Sequence, residues 1–124
     1  MSDKELIKEM LEQIDGATVE ITERFSKIKS SSDFNSSPEN RTIMDAICMK
    51  LIVIGENLKK IDTKTGGQLF AEYPEIPWKD AMGIRDVIAH DYFRTVPEEI
   101  FQVCKDDIPE LRKVLKRMLE EIER

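Results

Sequence analysis

Residues 38 to 61 read PENRTIMDAICMKLIVIGENLKKI, and their periodicity decides the fold class. Ile43, Ile47, Ile54, Leu58 and Ile61 fall on one stripe at three- and four-residue steps, the repeat of an α-helix with a buried face. Ser37, Pro38 and Glu39 start it as an N-cap, a first-turn proline and a carboxylate at the positive end of the helix dipole. Ala46, Met49, Leu51, Ile52 and Val53 extend the apolar surface almost around the helix. A single buried face needs only part of that circumference. Two readings stay open: a second contact across a two-fold dimer, or a central helix in a small core.

Outward from this helix, the pattern stays helical. Ile7, Leu11, Ile14, Ile21, Phe25 and Ile28 form the seam of a first helix, with Thr18 in one slot. Gly16 interrupts that helix at a cost of about 1 kcal/mol, which so long a stripe outweighs. The stretch SSSDFNSS, residues 30 to 37, is a polar break. Residues 62 to 77, rich in Gly, Thr and Pro, form a connection ending in YPEIPW, and one short helix is expected from about Trp78 to His90. Thr95 to Glu98 and Asp107 to Glu110 each place a capping side chain three residues before a glutamate, with proline in the first turn, so a helix is expected to begin at each. The last one carries Ile108, Leu111, Leu115, Met118 and Ile122 on one side. The expectation is all-α: an up-and-down bundle of four to five helices in a single domain over residues 1–124.

A net charge of −6 denies the chain the broad basic surface of a non-specific nucleic-acid binder. Cys48 and Cys104 sit inside apolar helical patterns and are expected to be free, buried thiols, as in a reducing cytosol. The start, MSDKELIKEM, has no signal-peptide pattern, and no apolar run approaches the roughly 20 residues of a membrane span. A cytoplasmic location without membrane contact is expected.

The chemistry concentrates in GIRDVIAHDYF, residues 83 to 93, which hold the only histidine, His90. Each residue there also has a structural reading. A histidine at a helix end caps the last carbonyls or meets the dipole, an arginine pairs with a carboxylate, and a tyrosine anchors an aromatic ring. On an ideal helix Arg85 and His90, five apart, point about 140° away from each other, whereas Asp86 and His90, four apart, share a face. Asp86 could hold one imidazole nitrogen and leave the other for proton transfer. Cleaving RNA without a metal needs a base for the ribose 2′-hydroxyl, an acid for the leaving oxygen and a cation for the phosphate. One histidine is short of that set, but two copies meeting at a two-fold axis would complete it. Glu56, inside an apolar helix, needs either water or a cation such as Arg85. Gly55 beside it either allows close backbone approach or is merely tolerated in the helix. A di-iron signature, zinc spacing, a P-loop, a dinucleotide glycine pattern and a hydrolase elbow are all missing from the sequence, so no metal or cofactor is expected.

The spacing Arg85, four residues, His90, one residue, Tyr92 resembles the R-x(4)-H-x-Y motif of HepT-like proteins, a branch of the HEPN superfamily. LIVIGENLKKI resembles that family's central helix, PEIPWKDAMGIRDVIAHDYF its approach to the motif, and DIPELRKVL its final helix, so the likeness covers roughly residues 40 to 115. The resemblance implies an all-α, dimeric toxin of a type VII-like toxin–antitoxin pair, acting as a metal-independent endoribonuclease on RNA. By the same resemblance Arg85 and His90 are catalytic, and Tyr92 receives AMP from an MNT-type nucleotidyltransferase antitoxin. The added phosphate would repel RNA and could occupy Arg85. The acidic charge and the single histidine keep an alternative in view, a non-catalytic helical subunit that binds or presents a substrate to a small nucleotidyltransferase.

Overall fold

The structure is a computed structural model that describes residues 2–90 and 96–123. Tyr92, and Thr95 with its expected cap, lie outside the described residues. Three long rods dominate. Helix α1 spans Asp3–Phe25, α2 spans Pro38–Lys64, and α6 (Val96–Gln102) continues through a wide π turn (Val103–Asp107) into α7 (Ile108–Ile122). Helices α3 (Gln68–Ala71), α4 (Trp78–Met82) and α5 (Ile84–His90) are short and fill the return from α2. No strand occurs among the described residues, and the all-α class holds.

The start of α1 is fixed by Ser2, whose hydroxyl accepts from the Glu5 N–H. The helix runs unbroken through Gly16, which is exposed with nothing near the position of a Cβ. Thr18 is fully buried and donates its hydroxyl to the Asp15 carbonyl at 2.6 Å, so its apolar slot hides no unmet polar group. At the second helix Ser37 accepts from the Asn40 N–H at 3.1 Å and Pro38 occupies the first turn, as expected. That helix ends where Gly66 and Gly67 take positive φ, +58° and +77°, a conformation L side chains rarely adopt. α1 packs against α2 and α7, and the buried side chains of all three rods form one continuous cluster.

Three expectations need correction. The polar break at residues 30 to 37 is a 3-10 turn with a fully buried Phe34, capped by Asp33 accepting from the Lys29 and Ser30 N–H groups. The helix expected over Trp78–His90 is two helices divided at Gly83. There the chain bends over α2, and the Ala81 and Met82 carbonyls come within 3.3 Å of where a Gly55 Cβ would stand. Finally, α7 does begin at Ile108, directly after Asp107, but without the expected side-chain cap. Asp107 is helical itself (φ −83°, ψ −40°), and its side chain makes no capping bond. A proline cannot continue an α ladder, because it has no N–H and its ring crowds the carbonyl four residues back. The chain widens instead, with the Ile108 N–H reaching five residues back to Val103.

The connection of residues 62 to 77 is also more ordered than its composition implies. Phe70 stacks on Trp78 at 4.1 Å, the Trp78 indole donates to the Tyr73 carbonyl at 2.8 Å, and the Tyr73 hydroxyl donates to Glu121 on α7 at 2.7 Å. These bonds clamp the segment leading into α5 to the far end of the bundle.

Candidate active site

Ile84 and Ile88 seat helix α5 on the core. Ile84 lies half-buried against Gly55 of α2, and Ile88, one turn on, is buried. Their stripe faces the core, so the rest of this short helix faces water. At 100° per residue from the Ile84–Ile88 stripe, Asp86 and His90 fall on the side away from the core, with Arg85 at one edge of the exposed arc and Val87 at the other. All four are exposed.

Arg85 leans toward α2, where its Nε lies 3.8 Å from Glu56 Oε1. The partnership anticipated for Glu56 is therefore present. Both side chains are about half exposed, so the pair contributes at most about 1 kcal/mol to stability. The contact leaves the guanidinium on the α2 side of α5. His90 occupies the last turn of α5, where a cationic ring would meet the negative end of the dipole. Among the described residues no hydrogen bond joins Asp86 to His90, although one turn separates them. The structure thus brings Arg85 to Glu56 and leaves Asp86 and His90 exposed on the same short helix, while Tyr92 lies outside the described residues.

The surface beside this cluster is apolar. Met49 and Val53, one turn apart on α2 and leading toward Glu56, are 61% and 39% exposed. The excess apolar surface of α2 is therefore left uncovered by the chain itself. No group of His, Cys, Asp and Glu that could hold a metal ion occurs among the described residues. Both thiols are buried and free. Burial, with the charge of Asp45, pushes Cys48 up to about 11. Burial, with Cys48 nearby, pushes Cys104 up to about 12. Neither is an activated nucleophile.

On the other edge of α5, a groove of about 750 Å³ opens between α4–α5 and the α6–α7 rod. Sequence patterning did not indicate it, because its lining comes from α2, α4, α5, α6, the π turn and α7. No helix among the described residues is long and apolar enough to cross a membrane.

A family model described as Ribonuclease HepT-like matches residues 7–118. Among similar proteins is "Gamma-glutamylcyclotransferase and putative RNase MJ0434" of Methanocaldococcus jannaschii, 28% identical over 86% of this chain and 45% of its own length. The chain thus spans less than half of that relative. "Putative RNase MJ0125" of the same organism is 32% identical over 73% of this chain and 75% of its own length. "Probable ribonuclease HepT" of Thermococcus cleftensis is 29% identical, covering 90% of this chain and 94% of the relative. No solved structure matches the chain.

Proposed function

We propose that this chain, which belongs to the HepT-like ribonuclease family, is a metal-independent endoribonuclease that works as a two-fold dimer and serves as the toxin of a toxin–antitoxin pair. The observation that carries the reading is the joint exposure of Arg85 and His90 on one short helix, beside the uncovered Met49–Val53 strip. Pairing two copies through that strip would bury the apolar surface and bring two α5 helices to one cleft.

In such a cleft one neutral His90 takes the proton of a ribose 2′-hydroxyl. The freed oxygen attacks the adjacent phosphorus, and the bond from phosphorus to the 5′-oxygen breaks. The partner's His90, protonated, gives its proton to that leaving oxygen. The products are a 2′,3′-cyclic phosphate and a 5′-hydroxyl. Arg85 binds the non-bridging oxygens as charge grows on them, and Glu56 keeps its guanidinium in place.

Neutralisation is assigned to Tyr92. Its hydroxyl oxygen attacks the α-phosphorus of ATP on an MNT-type nucleotidyltransferase, and pyrophosphate leaves. The tyrosyl-AMP adds a negative phosphodiester two residues from His90, where it repels RNA. Such a pair would act in the cytoplasm.

The reading is tested with purified, unmodified protein and a mixed RNA substrate. His90→Ala is expected to abolish cleavage while the helical spectrum and the dimer remain. Continued cleavage by the folded variant would overturn it. The net charge of −6 favours the second reading, a non-catalytic subunit of a nucleotidyltransferase. RNA cleavage by the purified chain excludes that alternative. Adenylylation of Tyr92 on a chain inert toward RNA supports it.

A further inference from the structure

The groove beside α5 has an apolar interior and a predominantly acidic border. Leu51 and Ile54 of α2 lie at its floor, Ile84 and Val87 line one wall, and Val103 and Leu111 line the other. Around it stand Glu75, Asp80, Glu98, Glu99, Asp107 and Glu110, against a single ammonium group, Lys79. Glu75 is engaged by Arg117 at 2.5 Å and Glu110 by Lys113 at 3.6 Å. No ion pair among the described residues engages Asp80, Glu98, Glu99 or Asp107. Burial, and the neighbouring Asp106, hold the Asp107 carboxyl above its ordinary range, as expected where like charges crowd without a cation. The π turn Val103–Asp107 supplies part of the wall, and such turns concentrate at functional positions.

Phosphate is repelled by this border, so the groove is not a track for RNA. An apolar ligand without charge would leave the unpaired carboxylates unanswered. Both walls are helical, and a trough between helices is filled by side chains spaced three and four apart. We propose that the groove receives a positively charged, amphipathic helical segment of a protein partner. Aliphatic residues of that segment would enter between Val87 and Val103, and its lysines or arginines would meet Asp80, Glu98, Glu99 and Asp107. The position on the opposite edge of α5 from Arg85 would leave the RNA-facing side open while a partner is seated. The inference does not depend on RNA cleavage, since binding is read directly.

Three fluorescein-labelled 15-residue peptides serve as probes against the full chain in fluorescence anisotropy. One carries leucines at helical spacing with lysines elsewhere, one has glutamates in place of the lysines, and one is a scramble of the first. The lysine peptide is expected to bind at least tenfold more tightly than either of the others, with affinity falling as salt rises. The Asp80→Asn/Glu98→Gln/Glu99→Gln variant is expected to lose at least tenfold in affinity at an unchanged melting temperature. Because Glu98 and Glu99 lie in the first turn of α6, neutral amides are chosen over lysines to spare the helix start. Methyl shifts on titration should fall on Ile54, Val87 and Val103. Equal binding of the scramble, or shifts elsewhere, would show attraction by charge alone and overturn the proposal. So would a change in oligomeric state in the triple variant, which would mark the groove as a contact between copies.

Discussion

Gly55 and Glu56 stand side by side on α2, and each does a different job for the same neighbouring helix. A Cβ at Gly55 would meet Ile84 Cγ2 at 3.1 Å and two backbone carbonyls at 3.3 Å, and the carbonyls cannot rotate away. Gly55→Ala should therefore destabilise the protein by about 1–3 kcal/mol, measured by urea unfolding, and weaken RNA cleavage by moving α5. Glu56→Gln should change stability by less than about 1 kcal/mol. It should lower kcat/KM by up to about tenfold, since the guanidinium loses its guide. Comparing kcat/KM with the melting temperature separates the two variants. Both residues were legible in the sequence as alternatives, close approach or tolerance for Gly55 and pairing or solvation for Glu56. Three-dimensional placement shows close approach at Gly55 and gives Glu56 both a partner and water, which local periodicity could not reach because Ile84 and Arg85 lie roughly thirty residues away along the chain.

Among the elements, the long helices follow from their apolar repeats and from Ser37–Pro38, while the connections do not. A serine-rich stretch reads as loop because its side chains are polar, yet the one phenylalanine within it is fully buried. Phe34→Ala should cost about 3–5 kcal/mol, read as a shift in the urea midpoint. The break at Gly83 was hidden for a related reason. Nothing in the local sequence of α4 and α5 forbids one helix, and the bend comes from packing over Gly55. The buried thiols of α2 and the π turn have a pH consequence. In the unfolded chain a thiol releases its proton near pH 8.5, but Cys48 and Cys104 hold theirs until about 11 and 12. The unfolded state thus binds fewer protons than the native one above pH 8.5, and stability falls as pH rises from there toward 11. Urea midpoints taken at pH 7.5 and 10 should differ in that direction, and Cys48→Ala/Cys104→Ala should flatten the difference. Unlike those thiols in the unfolded chain, the native ones should resist alkylation at pH 8.

At the scale of the molecule, one question is what covers α2. Met49→Asp/Val53→Asp leaves the monomer's core untouched, since both side chains are exposed. If two copies pair through this strip, sedimentation should show the variant as a monomer and RNA cleavage should be lost together with the dimer. A variant that sediments as the wild type would place the contact elsewhere. The sequence carried this surface in plain form, as apolar residues too widely spread for one buried face. The acidic groove left no such trace, because Asp80, Glu98 and Asp107 come from elements whose neighbourhood only the fold creates.

The wide turn between α6 and α7 has the character of an extra residue that has been absorbed. Ile100, Cys104 and Ile108 are all buried, at two successive four-residue steps. In a strict α-helix those eight residues would drift about 80° around the axis and carry Ile100 away from the line of Ile108. The π turn cancels that drift and also gives Pro109 a place where no α ladder has to continue. Excess length and proline are thus two halves of one compensation. Deleting Asp106 alone should cost about 3 kcal/mol, because Pro109 then falls inside a regular helix. Combined with Pro109→Ala, the same deletion should cost much less, since seven residues bring Ile100 and Ile108 within about 20° of each other. A double-mutant cycle in urea measures the coupling, and additive losses would show that the two features are unrelated.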